Sequence, residues 1–398
     1  MKILLVQETD WLERYPHTQH HLMERLSLKG HSIKVIDYAF DWKKDKDKKI
    51  FQSKQEFHDV KKIYDGAGVD VIRPSALRIP VLEYPYLIIS HNNEIQKQIR
   101  EFKPDIIIGF GILNAYVASR LAKKYNIPFI YYWIDALDTL IPEKTFQTLG
   151  RIIERKSIKN SRKYFVTNEK LKDHIIDLGA EKDKIEIFSS GIDFNVFNDK
   201  IDGSAIRKQY GIKDNEIVLF FMGWIYHFSG LKEIAEELGK EKESGKYSNI
   251  KLLVVGEGDA YPDLQKLRDQ YHLEDQLFLT GRQPYEKIPE YIASSDICIL
   301  PAYTDEPTMK DIVPIKILEY MAMGKPVITT RLPGLIKEFG DDNGIIYANS
   351  PDETMKTAQD FLSKVNCHEY GIKAGEFVKK YNWDLVIKRF EIILLCLI

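Results

Sequence analysis

The chain has 398 residues, 44% of them hydrophobic, with 57 Lys and Arg against 59 Asp and Glu. That length exceeds what one core usually serves, so two domains are expected, and the balanced charge gives no nucleic-acid footprint. Cys298, Cys367 and Cys396 are scattered, fit no disulfide framework or zinc spacing, and suit a reducing compartment. From the N-terminus, Ile3 to Val6 reads as a strand that turns polar at Gln7, too soon for a signal sequence. No apolar run reaches the length of a membrane span. Residues 17 to 29 read as a helix ending at Gly30, and Ser32 to Asp37 as the next strand, a β–α–β opening. The run KKDKDKK at 43 to 49 reads as a solvated loop. Strands follow at 69 to 73, 105 to 110, 127 to 133, 163 to 167 and 185 to 188, with helices at 90 to 102, 113 to 125 and up to about 160.

SSGIDFNVFND, 189 to 199, breaks the periodicity as a linker does, and a second α/β set begins beyond it. Strands are predicted at 217 to 222, 250 to 255, 277 to 280 and 344 to 347, and helices at 231 to 238, 264 to 271, 288 to 293, 352 to 365 and 368 to 380. Trp383 to Ile398 reads as a last amphipathic helix. Strands alternating with helices imply two doubly wound parallel sheets, with the ligand in the cleft between two such domains. Within the second set, Asp296 to Thr330 forms a strand–loop–helix–strand unit. Its strand stops at Pro301, Pro314 opens the helix, Gly324 ends it, and the loop and first helical turns carry Asp305, Glu306, Asp311 and Glu319. In an open α/β sheet such a loop lies where ligands bind.

SGIDFNVF, a glycine after the first strand of the second domain, LLVVGEGD, FLTGR, YIASSDICILPAY and P-x-K-x-x-EYMAMGKPVI occur in that order. Over roughly 190 to 345 the chain resembles the family-4 type, nucleotide-sugar-dependent retaining glycosyltransferases. The resemblance implies a GT-B fold. Residues 1–190 would be an acceptor-side Rossmann-like domain, 191–205 a linker and 206–380 a nucleotide-sugar-binding domain. A C-terminal helix, 381–398, would pack back on the first domain. It also implies a UDP- or GDP-type donor as substrate, no permanently bound cofactor and no metal. The sugar passes with retention of configuration to a glycan, a lipid-linked sugar or a small acceptor.

The family's Glu-x7-Glu pair falls on Asp311 and Glu319, with Asp311 facing the donor sugar and Glu319 the ribose through charge-assisted hydrogen bonds. Ile312 and Val313 lead into the helix N-terminus, whose free amides suit phosphate. Lys316, in the first turn, is either a phosphate contact or a solvated lysine. A second donor element is Gly223, Trp224, Ser229 and Gly230, a glycine loop between a strand and a helix. There the family commonly places an Arg after the glycine and a Lys before the later glycine; this chain has Trp224 and Ser229 instead. Lys232 and Arg282 are candidate substitutes, and Trp224 and Tyr226 either touch donor or pack the cleft. Gly256, Gly258 and Arg282 fall by resemblance along the nucleobase, or are plain turns.

On the acceptor side, Gln7 to Pro16 contains no glycine, and no histidine stands where the family often has one after YYW. Asp135 and Asp138 are the candidate catalytic carboxylates there, or caps of the next turn. His17, His20 and His21 read as a helical surface cluster. The helix at 144–160 carries Lys144, Arg151, Arg155, Lys156 and Lys159, with Phe146, Leu149, Ile152 and Ile153 expected inward. It is either a core-packed helix with a solvated face or a contact for an anionic membrane surface. The expected protein is a cytoplasmic retaining glycosyltransferase. The competing expectation is a catalytically weak sugar-nucleotide-binding partner, motivated by the two missing cations.

Overall fold

The computed structural model describes residues 1–13, 16–38, 50–134, 144–310 and 313–398, and the backbone alone for 144–146. Asp135, Asp138, Asp311, Ile312 and the 43–49 run lie outside the described residues, as does the side chain of Phe146. The chain divides into two compact units, Met1–Ser189 with Asp384–Ile398, and Ser190–Trp383.

Unit 1 contains β1 (Lys2–Val6), α1 (Thr18–Leu28), β2 (Ser32–Ile36), β3 (Phe51–Gln52), β4 (Gln55–Val60), β5 (Val69–Arg73), β6 (Ala76–Leu77), α2 (Glu83–Glu101), β7 (Ile106–Gly109), α3 (Leu113–Tyr125), β8 (Phe129–Trp133), α4 (Lys144–Asn160), β9 (Lys163–Val166), α5 (Glu169–Asp177) and β10 (Ile185–Ile187). Among the described residues its sheet runs β10-β9-β8-β7-β1-β2-β5-β4, and only β4 is antiparallel. Leu4, Val6, Ile107, Phe129, Tyr131 and Val166 share one core with Ile95 and Ile99 of α2, Ala118 and Leu121 of α3 and Ile158 of α4. The alternation of a pleated strand sends their neighbours to the other face. There Tyr132 and Phe165 meet Phe390, at 6.3 and 5.2 Å between ring centroids.

Unit 2 contains α6 (Ser204–Gln209), β11 (Ile217–Met222), α7 (Leu231–Lys240), β12 (Ile250–Val255), α8 (Tyr261–Gln270), β13 (Leu277–Leu279), α9 (Ile288–Ala293), β14 (Ile297–Leu300), α10 (Pro307–Lys310), α11 (Ile315–Ala322), β15 (Val327–Thr330), α12 (Pro333–Phe339), β16 (Ile345–Ala348), α13 (Thr354–Lys364) and α14 (Cys367–Val378). Its sheet order, β13-β12-β11-β14-β15-β16, is all parallel. The first-formed strand lies at the centre and the order reverses between β11 and β14. That is the Rossmann arrangement, whose ligand crevice lies at the reversal. The last helix, α15 (Trp383–Leu395), lies almost wholly in unit 1. Its Glu391 pairs with Lys29 and His31, and its Arg389 with Glu186 at 2.6 Å.

Several expectations differ from the structure. The stretch read as a linker, 191–205, is held in unit 2: Ile192 and Phe197 are buried, and Ile192 forms a bridge with Asn382. Helix α2 starts at Glu83 rather than Ser90, with Pro85 in its first turn, where the absent N–H is tolerated. Helix α5 was not foreseen, although Asn168 is a legible N-cap and accepts from the Leu171 N–H at 2.8 Å. His20 and His21 are not a surface cluster. Both are buried, His20 against Trp11 (centroids 4.1 Å) and His21 on the Tyr64 hydroxyl at 2.7 Å. In α4 the inward face is Gly150, Glu154, Ser157 and Ile158, while Leu149 and Ile152 are exposed.

Candidate donor site at the reversal of strand order

Three strands of unit 2 end side by side in glycine. After β11 the chain turns at Gly223, whose N–H donates to the Val255 carbonyl at 2.9 Å. Gly256, after β12, donates to Gly281 at 2.9 Å, after β13. A β-carbon on Gly256 would stand 2.0 Å from the Gly223 carbonyl oxygen, and one on Gly258 2.4 Å from the Ile225 nitrogen. Those two glycines therefore exist to let the second loop back onto the first. Their need is met by packing, whatever ligand lies beyond.

Gly223 itself has a different neighbour. Its φ of 122° is a conformation L-residues avoid, and a β-carbon there would come within 2.6 Å of the Lys316 Nζ. Lys316 reaches this point because α11 is locked against β11. One turn on, the Tyr320 hydroxyl accepts from the Met222 N–H at 2.9 Å, and its ring meets Phe220 at 5.8 Å. Residues four apart share a helix face, so fixing Tyr320 aims Lys316. The ammonium lies 4.4 Å from the centroid of the Phe221 ring. Burial pushes its pKa down to about 8, opposed by Glu319.

Glu319 is buried on the same helix. Burial pushes its carboxyl up to about 7, against the Tyr285 hydroxyl, which donates to it at 3.3 Å, and the nearby Lys316. Tyr285 was not anticipated; it sits in a 3-10 turn ahead of α9 and has no motif of its own. Val313 is half-buried and packs on the core ahead of α11. Of the other acids in the loop after β14, Glu306 caps α10, accepting from the Thr308 N–H at 3.2 Å and its hydroxyl at 2.7 Å.

The second loop element differs from its expectation in detail. Ser229 is buried and its hydroxyl accepts from the Tyr226 N–H at 2.9 Å, so it braces the turn. Gly230 caps α7 at φ 70°, and a β-carbon there would meet the Pro301 carbonyl oxygen at 1.8 Å. Trp224 is 48% exposed, its indole N–H donating to Asp259 at 3.1 Å, and Tyr226 stacks on Phe228 at 4.7 Å. Lys232 lies out on α7, 4.0 Å from Glu236, and Arg282 is exposed at the end of β13.

Unit 1 has its own reversal, between β1 and β7. The glycine-free loop after β1 is built on charge: Arg73 binds Asp37 at 2.6 Å and Asp10 at 2.7 Å, and Asp10 accepts from the Leu12 and Glu13 N–H groups. Glu8 accepts from the Asn114 N–H at 2.7 Å, at the start of α3. Burial raises its pKa, while the amides of Asn114, Ile112 and Leu113 lower it. Among the described residues no group of three or more His, Cys, Asp and Glu could hold a metal ion, and no helix is long and apolar enough to cross a membrane.

Two Rossmann-like units, the first completed by a helix from the C-terminal end of the chain, define the GT-B glycosyltransferase fold. The HepE protein of Anabaena, solved in complex with UDP, superposes with a TM-score of 0.73 at 14% identity, over 100% of both chains. The family description Glyco_transf_4, Glycosyltransferase Family 4, matches residues 18–196, and Glycos_transf_1, Glycosyl transferases group 1, matches 202–377. The chain belongs to this family of glycosyltransferases. Among curated relatives it is 25% identical to an uncharacterized glycosyltransferase of Methanocaldococcus jannaschii, over 59% of this chain and 60% of that one. It is 24% identical to the alpha-D-kanosaminyltransferase of Streptomyces kanamyceticus, over 51% of each. The chain thus spans about half to three fifths of the length of these curated relatives.

Proposed function

We propose that this chain moves a sugar from a nucleotide-diphosphate donor, of UDP or GDP type, to a glycan or lipid-linked acceptor with retention of configuration. The observation that carries the reading is the meeting of Gly223 and Lys316 at the reversal of strand order. A bare backbone turn and a partly desolvated ammonium suit the two oxygens-rich groups of a diphosphate, in a place where such folds bind nucleotides. Lys316 then supplies the leaving-group charge that Trp224 and Ser229 lack. Glu319 takes the ribose hydroxyls, Asp311 the donor sugar, and Asp135, Asp138 or Glu8 orients the acceptor hydroxyl. The UDP bound by HepE supports a uridine donor. We place the enzyme in the cytoplasm, with α4 resting on the anionic inner membrane face.

The test is a thermal-shift panel of sugar nucleotides followed by donor hydrolysis with the best ligand. Stabilisation by one UDP- or GDP-sugar, with turnover that falls in Lys316→Met, is the expected result. Tight binding without turnover, with or without acceptor, favours the second reading, a catalytically weak sugar-nucleotide-binding partner. The exposed Trp224 in place of a cation is the observation behind it.

A further inference from the structure

We propose that unit 1 inserts an apolar edge into an anionic bilayer, and that this edge is formed by the β3–β6 ribbon and the first turns of α2. The inference deepens the membrane contact suggested for α4 and rests on that reading for its electrostatic half.

The edge is made of Ile50, Phe51, Val81, Leu82, Tyr84 and Ile89, all exposed, Val81 by 74%. Ribbon and helix are one piece. Phe51 packs edge-on against Tyr86, centroids 6.0 Å apart, and the Arg78 N–H donates to the Ile50 carbonyl at 2.7 Å. Scattered exposed aliphatics are ordinary, but a contiguous group marks a binding surface. Val81 sharpens the point. A β-branched residue at φ 71° occupies a backbone region it disfavours, and its side chain is left projecting rather than packed.

Charge selects the occupant. Ile89 shares the outer face of α2 with Lys97, eight residues on, and Arg100 follows one turn later. Helix α3 packs against both α2 and α4 and exposes Arg120, Lys123 and Lys124. Helix α4 exposes Arg151, Arg155, Lys156 and Lys159, with Leu149 and Ile152 among them. Glu83, Glu94 and Glu154 are buried; among the described residues of these three helices, Glu101 alone is an exposed acid, 3.8 Å from Lys97. A chain of net charge −2 thus gathers cations on one helical layer. A second copy would set that layer against its own charge. A nucleic acid would use the cations and leave the aliphatic edge in water. Anionic headgroups over acyl chains satisfy both, with Tyr84 and Phe51 suited to the boundary.

The experiment is co-sedimentation of the full chain with phosphatidylcholine vesicles, with and without phosphatidylglycerol. It compares wild type, the edge variant Leu82→Ser/Ile89→Ser and the charge variant Arg155→Gln/Lys156→Gln. Near-UV circular dichroism and sugar-nucleotide thermal shift verify the fold of each. We expect wild type to sediment with the anionic vesicles only, less so in high salt, and each variant to weaken on the order of tenfold with its fold intact. An edge variant that sediments like wild type overturns the inference and leaves the α4 contact standing. A wild type that ignores anionic vesicles overturns both this edge and the α4 contact, and an edge variant that turns a solution dimer into a monomer overturns the edge alone. Vesicle binding by a protein that hydrolyses no donor would sink the proposed reaction and leave this surface in place.

Discussion

The Lys316 ammonium stands 2.6 Å from the point that a β-carbon on Gly223 would occupy, and 4.4 Å from the centroid of the Phe221 ring. Bare glycine and desolvated cation therefore define one small volume. Gly223→Ala should push the lysine head aside and strain a φ of 122°. We expect donor KM to rise on the order of tenfold, with a stability loss of about 1 kcal/mol. Lys316→Met should raise donor KM as much and lower kcat besides, without that stability loss. Steady-state donor hydrolysis and chemical denaturation separate the two variants.

Glu319 sets a pH dependence. Its folded pKa, near 7, stands above the ordinary 4.5. Such a group stabilises the fold fully below the unfolded value and loses that contribution as pH rises through the folded one. Stability should decline between about pH 4.5 and 7 by about 3 kcal/mol. Glu319→Gln should abolish the decline and melt above wild type at pH 8. A wild-type and variant pair with parallel pH profiles would contradict the assignment.

The buried histidines act in the opposite direction. Burial pushes His20 and His21 down to about 3 and His91 to about 4. Each contributes stability present above the unfolded value of 6.5 and lost as pH falls toward the folded one. At pH 5 the loss is about 2 kcal/mol for each. Urea unfolding at pH 7 and 5 should show unit 1 weakening, and His21→Gln should reduce that difference.

Phe390 tests the last helix. Its ring lies 5.1 Å from Phe188 as well as against Tyr132 and Phe165. Phe390→Ala should cost about 3–5 kcal/mol in unfolding of unit 1 and leave donor-induced stabilisation of unit 2 intact. Loss of donor binding in that variant would count against unit 2 standing as its own cooperative body.

Much of this architecture is legible in the chain. The β-branched runs of β1, β7, β11 and β12 announce parallel strands, and Pro314 and Gly324 bracket α11. What periodicity misses is geometry between distant segments. In α4 the inward positions are Gly150, Glu154, Ser157 and Ile158, while Leu149 and Ile152 face outward, a register that the apolar spacing alone does not give. The histidines of α1 look solvated until Trp11 and Tyr64 arrive from other loops. At the candidate donor site, Gly223 and Lys316 were each visible, but their meeting depends on the Tyr320 hydroxyl on the Met222 amide, which no spacing encodes. Gly256 and Gly258 read as lying along a nucleobase or as plain turns, and the neighbouring loop demands glycine at both whatever lies beyond them.

The helix that carries Phe390 also imposes a schedule on synthesis. The sheet of unit 1 is complete by Ile187, yet Tyr132, Phe165 and Phe188 wait for a ring made some two hundred residues later. A growing chain must hold that aromatic face open while all of unit 2 is translated and folds. Slow translation across 190–383 would lengthen the interval in which the nascent chain needs a chaperone.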